Sequence, residues 1–157
     1  MAGKRPGDLL SVLGPIGRPF EPSPERPTAL LVGGGVGLPP MVFLAETLRD
    51  TAWTPLAILG SEIPFPFGLE KSEIPTPWLD DDINSAMPLL DSWVVPSRLT
   101  SLSDFEGCYR GYVTDLADKW IQSLDDEERA KTEVFACGPI PMLKAVAEFA
   151  KRYNLPC

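Results

Sequence analysis

The sequence predicts an α/β fold, in which a doubly wound parallel sheet lies between helices on both faces as a three-layer α/β/α domain. Two observations support this prediction. Short apolar runs beginning at Thr28, Pro55, Ser97 and Glu133 alternate with stretches whose apolar residues recur at helical spacing. The first and last runs end in glycine-containing turns that open directly into a helical stretch. In such folds ligands bind beyond the carboxyl ends of the strands, so functional residues are expected just after each strand.

Each predicted strand is a short apolar run bounded by turn-forming residues, and each predicted helix carries an apolar stripe. The strands are expected at residues 28–32, 55–59, 97–102 and 133–137. The helices are expected at about 39–49, 83–93, 115–124 and 141–153, with Thr114 as the N-cap of the third. The acidic run 125–128 is interpreted as a solvated segment opening a short helix, and no site is predicted there.

A proline-rich insert, residues 61–82, follows the second strand. Long irregular inserts are often functional or mobile. Its aromatic residues at 63–67 and Trp78 could flank an adenine ring or touch a partner domain. A satellite hydrophobic cluster is the more common arrangement and is favoured here.

Composition excludes several classes of function. The 157 residues, 44% of them hydrophobic, suffice for one core. The chain has no histidine, which excludes catalytic and zinc sites built on that residue, and its three cysteines are too far apart for a disulfide framework or a metal cluster. A net charge of −8 without a basic cluster argues against nucleic-acid binding. With no apolar run of membrane-spanning length, no membrane partner is expected, and a cytoplasmic location is predicted.

The first motif is a glycine turn, GGGVGLPP at residues 33–40, between the first strand and its helix. Glycine lets backbone approach a pyrophosphate, and a helix N-terminus supplies N–H groups and partial positive charge. The candidate contacts are Gly34, Gly35, Val36 and Gly37. The spacing matches neither GxGxxG nor the phosphate loop of NTPases. The alternative is a tight β–α turn that merely needs glycine.

The second motif, CGPIPM at residues 137–142, occupies the same position after the last strand. A small polarizable thiol at Cys137 could pack against a flat nicotinamide ring, and Gly138 and Pro139 would open room for it. A lone cysteine at a strand end is more often a core residue. The matching glycine turn after the first strand favours a functional interpretation.

Together these motifs resemble the ferredoxin reductase superfamily, whose nucleotide-binding domains carry GGGxGxxP and CGP turns. Within it, the sequence is most like the electron-transfer subunits of dihydroorotate dehydrogenases and related bacterial oxidoreductases, in segments 14–17 (GPIG), 33–40, 111–115 (GYVTD) and 135–139 (FACGP). The resemblance covers about residue 7 to the C-terminus. It implies an NAD(P)H-binding domain that positions nicotinamide for hydride transfer to FAD.

The resemblance also implies what lies outside this chain. Residues 1–22 would be the last strand and turn of an FAD-binding barrel, and residues 23–157 the NAD(P)-binding domain without its last strand and its [2Fe-2S] segment. FAD and [2Fe-2S] are therefore implied for the parent protein but not held here. The implied partners are an FAD-binding domain and an electron-acceptor subunit, and this chain alone is expected to bind nucleotide without turnover.

Coenzyme choice depends on the groups that face the adenosine ribose after the third strand. The resemblance puts this position at residues 101–104, which makes Ser101 and Asp104 the candidates and leaves Arg98 near the start of the strand. A carboxylate accepts hydrogen bonds from ribose hydroxyls but repels a 2′-phosphate, so NAD(H) is favoured over NADP(H). Asp104 could equally be a turn residue, and Glu62 is a weaker candidate.

Two other functions are compatible with the sequence. One is the reductase component of another multicomponent system, such as an oxygenase. The other is a non-enzymatic nucleotide-sensing module. A self-sufficient nucleotide-binding protein should bury both of its ends, so an exposed apolar segment at residues 9–20 would argue against the nucleotide-sensing module.

Overall fold

The structure is a computed structural model that describes residues 3, 5–14 and 16–157. In chain order its elements are β1 (Thr28–Gly34), α1 (Leu38–Leu48), β2 (Thr54–Gly60), β3 (Glu70–Lys71), β4 (Ser85–Ala86), α2 (Pro88–Ser92), β5 (Ser97–Ser101), β6 (Tyr109–Arg110), α3 (Val113–Ser123), α4 (Asp126–Ala130), β7 (Thr132–Cys137) and α5 (Ile140–Arg152). A single 3-10 turn, Gly35–Gly37, joins β1 to α1.

Five strands form one parallel sheet in the order β6-β5-β2-β1-β7, while β3 and β4 pair as a separate antiparallel hairpin. The predicted α/β fold with a doubly wound parallel sheet is confirmed. From β1 the chain moves through β2 to β5 on one side, and it later returns to place β7 on the other side of β1. The topological switch point, where ligands bind in such sheets, therefore lies between β1 and β7.

Alternation of side chains along the strands divides the core into two layers. On one face Leu30, Val32 and Ile58 pack with α3 and α5. On the other face Leu31 and Leu59 pack with α1 and α2. Because both faces of the central strands are covered, β1 and β2 read as continuous apolar runs rather than alternating ones.

Two local predictions were wrong. Residues 83–93 are not one helix, because Ser85–Ala86 pairs with Glu70–Lys71 and the helix begins only at Pro88, where a missing N–H is harmless. Thr114 is not the N-cap of α3, which already begins at Val113. The carboxylate of Asp115 instead accepts a hydrogen bond from the N–H of Tyr112 at 2.9 Å. The short acidic helix forms as predicted, and Asp125 accepts a hydrogen bond from the N–H of Glu128.

The proline-rich insert packs as a satellite of both core layers. Phe65 and Phe67 lie against the α1 side, where Phe65 also meets Phe105, and Trp78 lies against the α3 side. Its backbone is held by the buried Arg98, whose guanidinium donates to the carbonyl of Ile74. These contacts agree with the favoured interpretation of the insert as a hydrophobic cluster.

The N-terminal segment was predicted to contain a strand, and its described residues, 5–14 and 16–20, form none. A strand needs a neighbouring strand for its hydrogen bonds, and this segment has none beside it. Pro15, within the GPIG segment, lies outside the described residues. Where the described part of this segment approaches the domain, the ring of Phe20 lies 5.6 Å from that of Phe135, and the N–H of Ser23 donates to the carboxylate of Glu133.

At the other end, the chain returns to the outer edge of β7. The N–H of Val134 donates to the carbonyl of Pro156 at 2.9 Å. A groove of about 330 Å³ continues along the same edge, lined by Phe20, Leu143 and Cys157 among others. The division at residue 22 and the continuation into a further strand stay predictions. Among the described residues, no helix is long and apolar enough to cross a membrane.

Candidate functional site: the crevice between two turns

The glycine turn and the CGP turn lie side by side at the switch point. Gly33 is in register with Cys137 in the parallel pairing of β1 and β7, so both strands end at the same level. Each strand then opens into a helix, α1 after Gly37 and α5 after Pro139. The predicted pyrophosphate residues, 34–37, and the predicted nicotinamide residues, 137–139, thus meet at the switch point. The surface over these two turns is called the crevice below.

The two turns are in direct backbone contact. A β-carbon built on Gly37 would lie 1.8 Å from the carbonyl oxygen of Cys137 and 2.7 Å from the nitrogen of Gly138. No side chain can occupy this space, because atoms of another backbone already fill it. Glycine at position 37 is therefore required by the approach of the two turns.

The thioether of Met142 fills the space between the same turns. A β-carbon on Gly34 would lie 2.4 Å from its sulfur, and one on Gly138 would lie 2.6 Å from its terminal methyl. Met142 belongs to the first turn of α5 and is half-buried. Met142 lies within the helix predicted at residues 141–153, and nothing in the local pattern showed that its side chain reaches the turn after β1.

Gly35 is the glycine of the turn that faces open space. Gly33 is constrained by Leu59, whose side chain would lie 2.9 Å from an added β-carbon, whereas nothing lies within 4 Å of such an atom on Gly35. Gly35 also has a φ of +54°, in the left-handed region that favours glycine. Beside it, Val36 is 88% exposed. A ligand can therefore approach the backbone at residues 35 and 36.

The source of hydrogen-bond donors differs from the sequence expectation. Pro39 and Pro40 occupy the first turn of α1 and have no N–H, and the N–H of Leu38 donates to the carbonyl of Gly35. The start of α1 is therefore poor in free donors. The backbone donors that remain next to the start of α1 are the N–H groups of the turn itself, at Gly35, Val36 and Gly37.

On the other side of the crevice, Cys137 is half-buried and its side chain packs partly against the α1 layer of the core. Pro139 is extended, and α5 begins at the next residue, Ile140, which is 69% exposed. The crevice is thus flanked by exposed aliphatic side chains, Val36 on one turn and Ile140 on the other.

The residues predicted for the adenosine ribose occupy different environments. Ser101 is buried, and its hydroxyl donates to the carbonyl of Ser61 at 2.7 Å and accepts from the N–H of Ser103 at 3.1 Å. It therefore ties the loop after β2 to the loop after β5. Asp104 and Glu62 are exposed, each in the loop after its strand.

Arg98 lies near the start of β5, as predicted, and its side chain bonds to other parts of the chain. The residue is 2% exposed, and its guanidinium donates to the carbonyls of Ser97 and Ile74 and to the hydroxyl of Thr76. Burial lowers the pKa of this guanidinium from its ordinary value, and the nearby Asp91 carboxylate partly opposes the shift. In residues 3, 5–14 and 16–157, no group of three or more cysteine, aspartate or glutamate side chains could hold a metal ion.

Comparison with known proteins gives this geometry a family context. No family model matches the chain. The probable dihydroorotate dehydrogenase B (NAD(+)) electron transfer subunit of Methanopyrus kandleri is 33% identical over 156 residues, which are 99% of this chain and 50% of the relative. The electron transfer subunit of the same enzyme from Bacillus caldolyticus is 31% identical, over 94% of this chain and 48% of its own length. The chain is a homologue of these electron transfer subunits.

The identity over almost the whole chain confirms the resemblance to these electron transfer subunits that the sequence predicted. The chain spans about half the length of the curated relatives that it matches. Solved structures show the same fold: a ferredoxin reductase in carbazole 1,9a-dioxygenase superposes with a TM-score of 0.59 at 18% identity, over 91% of this chain and 39% of the other. The C-terminal domain of a Pyrococcus furiosus hydrogenase superposes with a TM-score of 0.52 at 16% identity, over 91% and 96% of the two chains.

Proposed function

We propose that this homologue binds NAD(H) in the crevice between the two turns and presents the nicotinamide to an FAD held by another domain. The pyrophosphate lies on the turn of Gly34, Gly35, Val36 and Gly37, and the nicotinamide lies beside Cys137, Gly138 and Pro139. The observation that carries the proposal is the open backbone at Gly35, which lies at the switch point. At the other glycines of this turn, neighbouring atoms already occupy the space beside the α-carbon.

The chain contributes position rather than acid or base chemistry. Turn N–H groups hold the pyrophosphate, and the contact between Gly37 and Cys137 fixes the distance between the pyrophosphate and nicotinamide ends. The flavin, when present in the parent protein, supplies the hydride acceptor. We assign the oxidoreductase activity to the assembly of this domain with the flavin-holding domain, and we place that assembly in the cytoplasm.

Exposed apolar side chains support a partner domain over the crevice. Val36 and Ile140 flank the proposed nicotinamide position, and Val12, Leu13 and Ile16 are more than 70% exposed in the N-terminal segment. An apolar segment of this kind is unfavourable in a self-sufficient nucleotide sensor. We propose that an FAD-binding domain covers these residues and that an electron-acceptor subunit, with the [2Fe-2S] centre, completes the parent assembly.

The preference for NAD(H) over NADP(H) rests on charge near the adenosine ribose. Asp104 is exposed in the loop after β5, where its carboxylate can accept from ribose hydroxyls and would repel a 2′-phosphate. The Ser101 hydroxyl already has two partners, so we assign it to holding the loops rather than the ribose.

Calorimetric titration of the 157-residue chain with NADH, NADPH and FAD tests the proposal. NADH binding is expected, and Gly35→Asp should weaken it at least about tenfold because the new carboxylate meets the pyrophosphate. Gly35→Asn adds similar bulk without charge, and Gly68→Asp adds the same charge at an open position in the insert. A folded chain that binds no NADH, or equal NADH affinity in Gly35→Asp and Gly68→Asp, contradicts the proposed site.

A further inference from the structure

A second cleft lies at the amino edge of the parallel sheet, at the opposite end of the strands from the crevice. Thr28 and Thr54 begin β1 and β2, and Pro96 directly precedes β5, so this edge carries all three. The cleft has a volume of about 210 Å³, and its lining includes Pro55, Pro75, Thr76, Trp78, Pro96 and Trp120. It is called the tryptophan cleft below. It shares no residue with the two turns of the crevice.

The insert supplies one wall of the tryptophan cleft, and Arg98 holds that wall in place. The guanidinium of Arg98 donates to the carbonyl of Ile74 and to the hydroxyl of Thr76, each at 2.7 Å. The carbonyl of Thr76 accepts from the N–H of Leu79 at 3.0 Å, which closes a turn. Trp78 lies within this turn and packs against the α3 layer of the core. The cleft is therefore preformed, because its wall is tied to the sheet.

Two indole N–H groups at the tryptophan cleft have no hydrogen-bond acceptor. Trp120 is only 6% exposed, and Trp78 is half-buried. Neither indole N–H donates to any residue that the structure describes, and neither is enclosed, whereas the Nε1 of Trp53 is enclosed. A buried tryptophan usually has a partner for its N–H. A ligand that brings carbonyl oxygens into the cleft would supply the missing acceptors.

The size and the lining of the tryptophan cleft favour a short stretch of extended chain over a whole small molecule. Pockets that enclose a small molecule have volumes of roughly 300–1,000 Å³, more than this cleft provides. Aromatic-lined grooves bind proline-rich segments in the polyproline II conformation. Such a segment has no internal backbone hydrogen bonds, so its carbonyl oxygens are free to accept from indole N–H groups.

An acidic run beside the tryptophan cleft indicates the charge of its ligand. Asp80, Asp81 and Asp82 begin two residues after Trp78, and all three are exposed. The N–H of Ile83 donates to the carbonyl of Asp80 at 3.0 Å, so the run is folded into a turn next to the wall. None of the three carboxylates forms an ion pair with a residue that the structure describes. An arginine beside the prolines of a ligand would complement this run.

We propose that the tryptophan cleft is a docking site for a proline-rich segment of a partner protein that carries arginine and is bound in the polyproline II conformation. The prolines pack on the two indole rings, the segment's carbonyls accept from the indole N–H groups, and the arginine pairs with the acidic run. The proline-rich residues 18–27 of a second copy suit the cleft less, because Arg26 donates to the carbonyl of Ala130 in its own domain. This site is independent of the proposed nucleotide function.

NMR titration of the whole chain with the peptide acetyl-RPPAPPR tests the proposal, because each of the four tryptophans gives its own indole N–H signal. The signals of Trp78 and Trp120 should shift saturably, and those of Trp53 and Trp93 should not. Replacing both arginines of the peptide with glutamate should weaken binding about fivefold or more, and replacing its prolines with alanine should abolish binding. Raising the salt concentration should weaken the arginine peptide.

Trp120→Phe keeps an aromatic ring and removes the N–H, so it should weaken the arginine peptide about fivefold or more. Trp53→Phe is the matched control, since it removes an enclosed N–H without an acceptor in the other core layer, and it should leave the affinity within about twofold. Replacing all three aspartates of the acidic run with asparagine should weaken the peptide about threefold or more. Because these side chains are exposed, that variant tests the site even if Trp120→Phe unfolds the chain.

Equal effects of Trp120→Phe and Trp53→Phe in folded chains would overturn the proposal. So would equal binding of the arginine and glutamate peptides, binding of the alanine peptide, or no response of the Trp78 and Trp120 signals to millimolar arginine peptide. Shifts of these signals with the concentration of the chain alone would identify a second copy as the occupant, and tighter binding of free indole would identify a small-molecule site. Both results contradict the proposal. NADH titration of the same samples reports on the nucleotide site separately.

Discussion

The carbonyl oxygen of Cys137 occupies the position that a side chain at Gly37 would need: a β-carbon there would be 1.8 Å from it. These residues are one hundred positions apart in the sequence, and their contact brings the glycine turn to the CGP turn. The geometry of the crevice therefore depends on the absence of a single methyl group.

Gly37→Ala should accordingly destabilise the fold by about 3 kcal/mol or more, because neither backbone can move without displacing β1 or β7. Urea unfolding followed by tryptophan fluorescence measures the change. Gly68→Ala is the control, as nothing lies within 4 Å of its β-carbon position, and it should stay within about 0.5 kcal/mol of the parent. Similar stability of the two variants would mean that the turns are not in contact.

Gly34 and Met142 should be energetically coupled. Gly34→Ala drives its β-carbon into the Met142 sulfur, at a cost of about 1–3 kcal/mol. Met142→Ala removes the obstructing thioether, so the methyl group that Gly34→Ala adds should be tolerated far better in the Met142→Ala background. A double-mutant cycle is therefore expected to give a coupling energy of about 1 kcal/mol or more. Strict additivity of the two changes would place the Met142 side chain elsewhere.

Arg98 should be required for the insert to stay packed. Arg98→Lys replaces a planar group that reaches Ile74 and Thr76 with a single ammonium, and it should cost about 2–4 kcal/mol because buried acceptors lose their donors. Urea unfolding gives the stability, and limited proteolysis reports whether residues 61–82 become accessible. Arg110→Lys, the same change at an exposed arginine, should have little effect on either measurement. A protease-resistant insert in Arg98→Lys would contradict this role.

The thiol of Cys108 should be alkylated slowly, and both its reactivity and its contribution to the free energy of unfolding should depend on pH. Burial raises the pKa of its thiol from 9.0 to about 11. At pH 8 about one molecule in a thousand carries the thiolate, so alkylation in the folded chain should be about a hundredfold slower than in urea. Mass spectrometry of alkylated peptides distinguishes Cys108 from the other two cysteines.

The linked effect on stability has a definite sign. The folded-state pKa of Cys108 lies above that of the unfolded chain, so the unfolded chain loses its proton first. The stabilisation is therefore complete below about pH 9 and is lost as pH rises from about 9 to about 11. Cys108→Ala should flatten this part of the stability profile. If Cys108→Ala leaves the dependence of stability on pH unchanged, the thiol has the same pKa in the folded and the unfolded chain.

Local sequence pattern was sufficient for most of the elements. The apolar runs that became β1, β2, β5 and β7 were recognisable because strands buried on both faces are continuously hydrophobic. The turns after β1 and β7 were recognisable because glycine and proline directly precede helical spacing. The pattern failed at residues 83–88, where a two-residue strand depends on Glu70–Lys71, and in the described part of residues 8–20, where strand formation depends on a neighbour.

By itself, the sequence determined the α/β class, the order of the main elements, the resemblance to electron-transfer subunits and the two turns that form the candidate site, because each depends on short-range periodicity or on a contiguous motif. Tertiary structure alone decided what the residues in those turns and at the ends of β5 and β6 do. It assigned Gly34 and Gly37 to packing against Met142 and Cys137, left Gly35 open, enclosed the Ser101 hydroxyl and exposed Arg110. The physical reason is that these roles arise from contacts between segments distant in the chain, which no local pattern records.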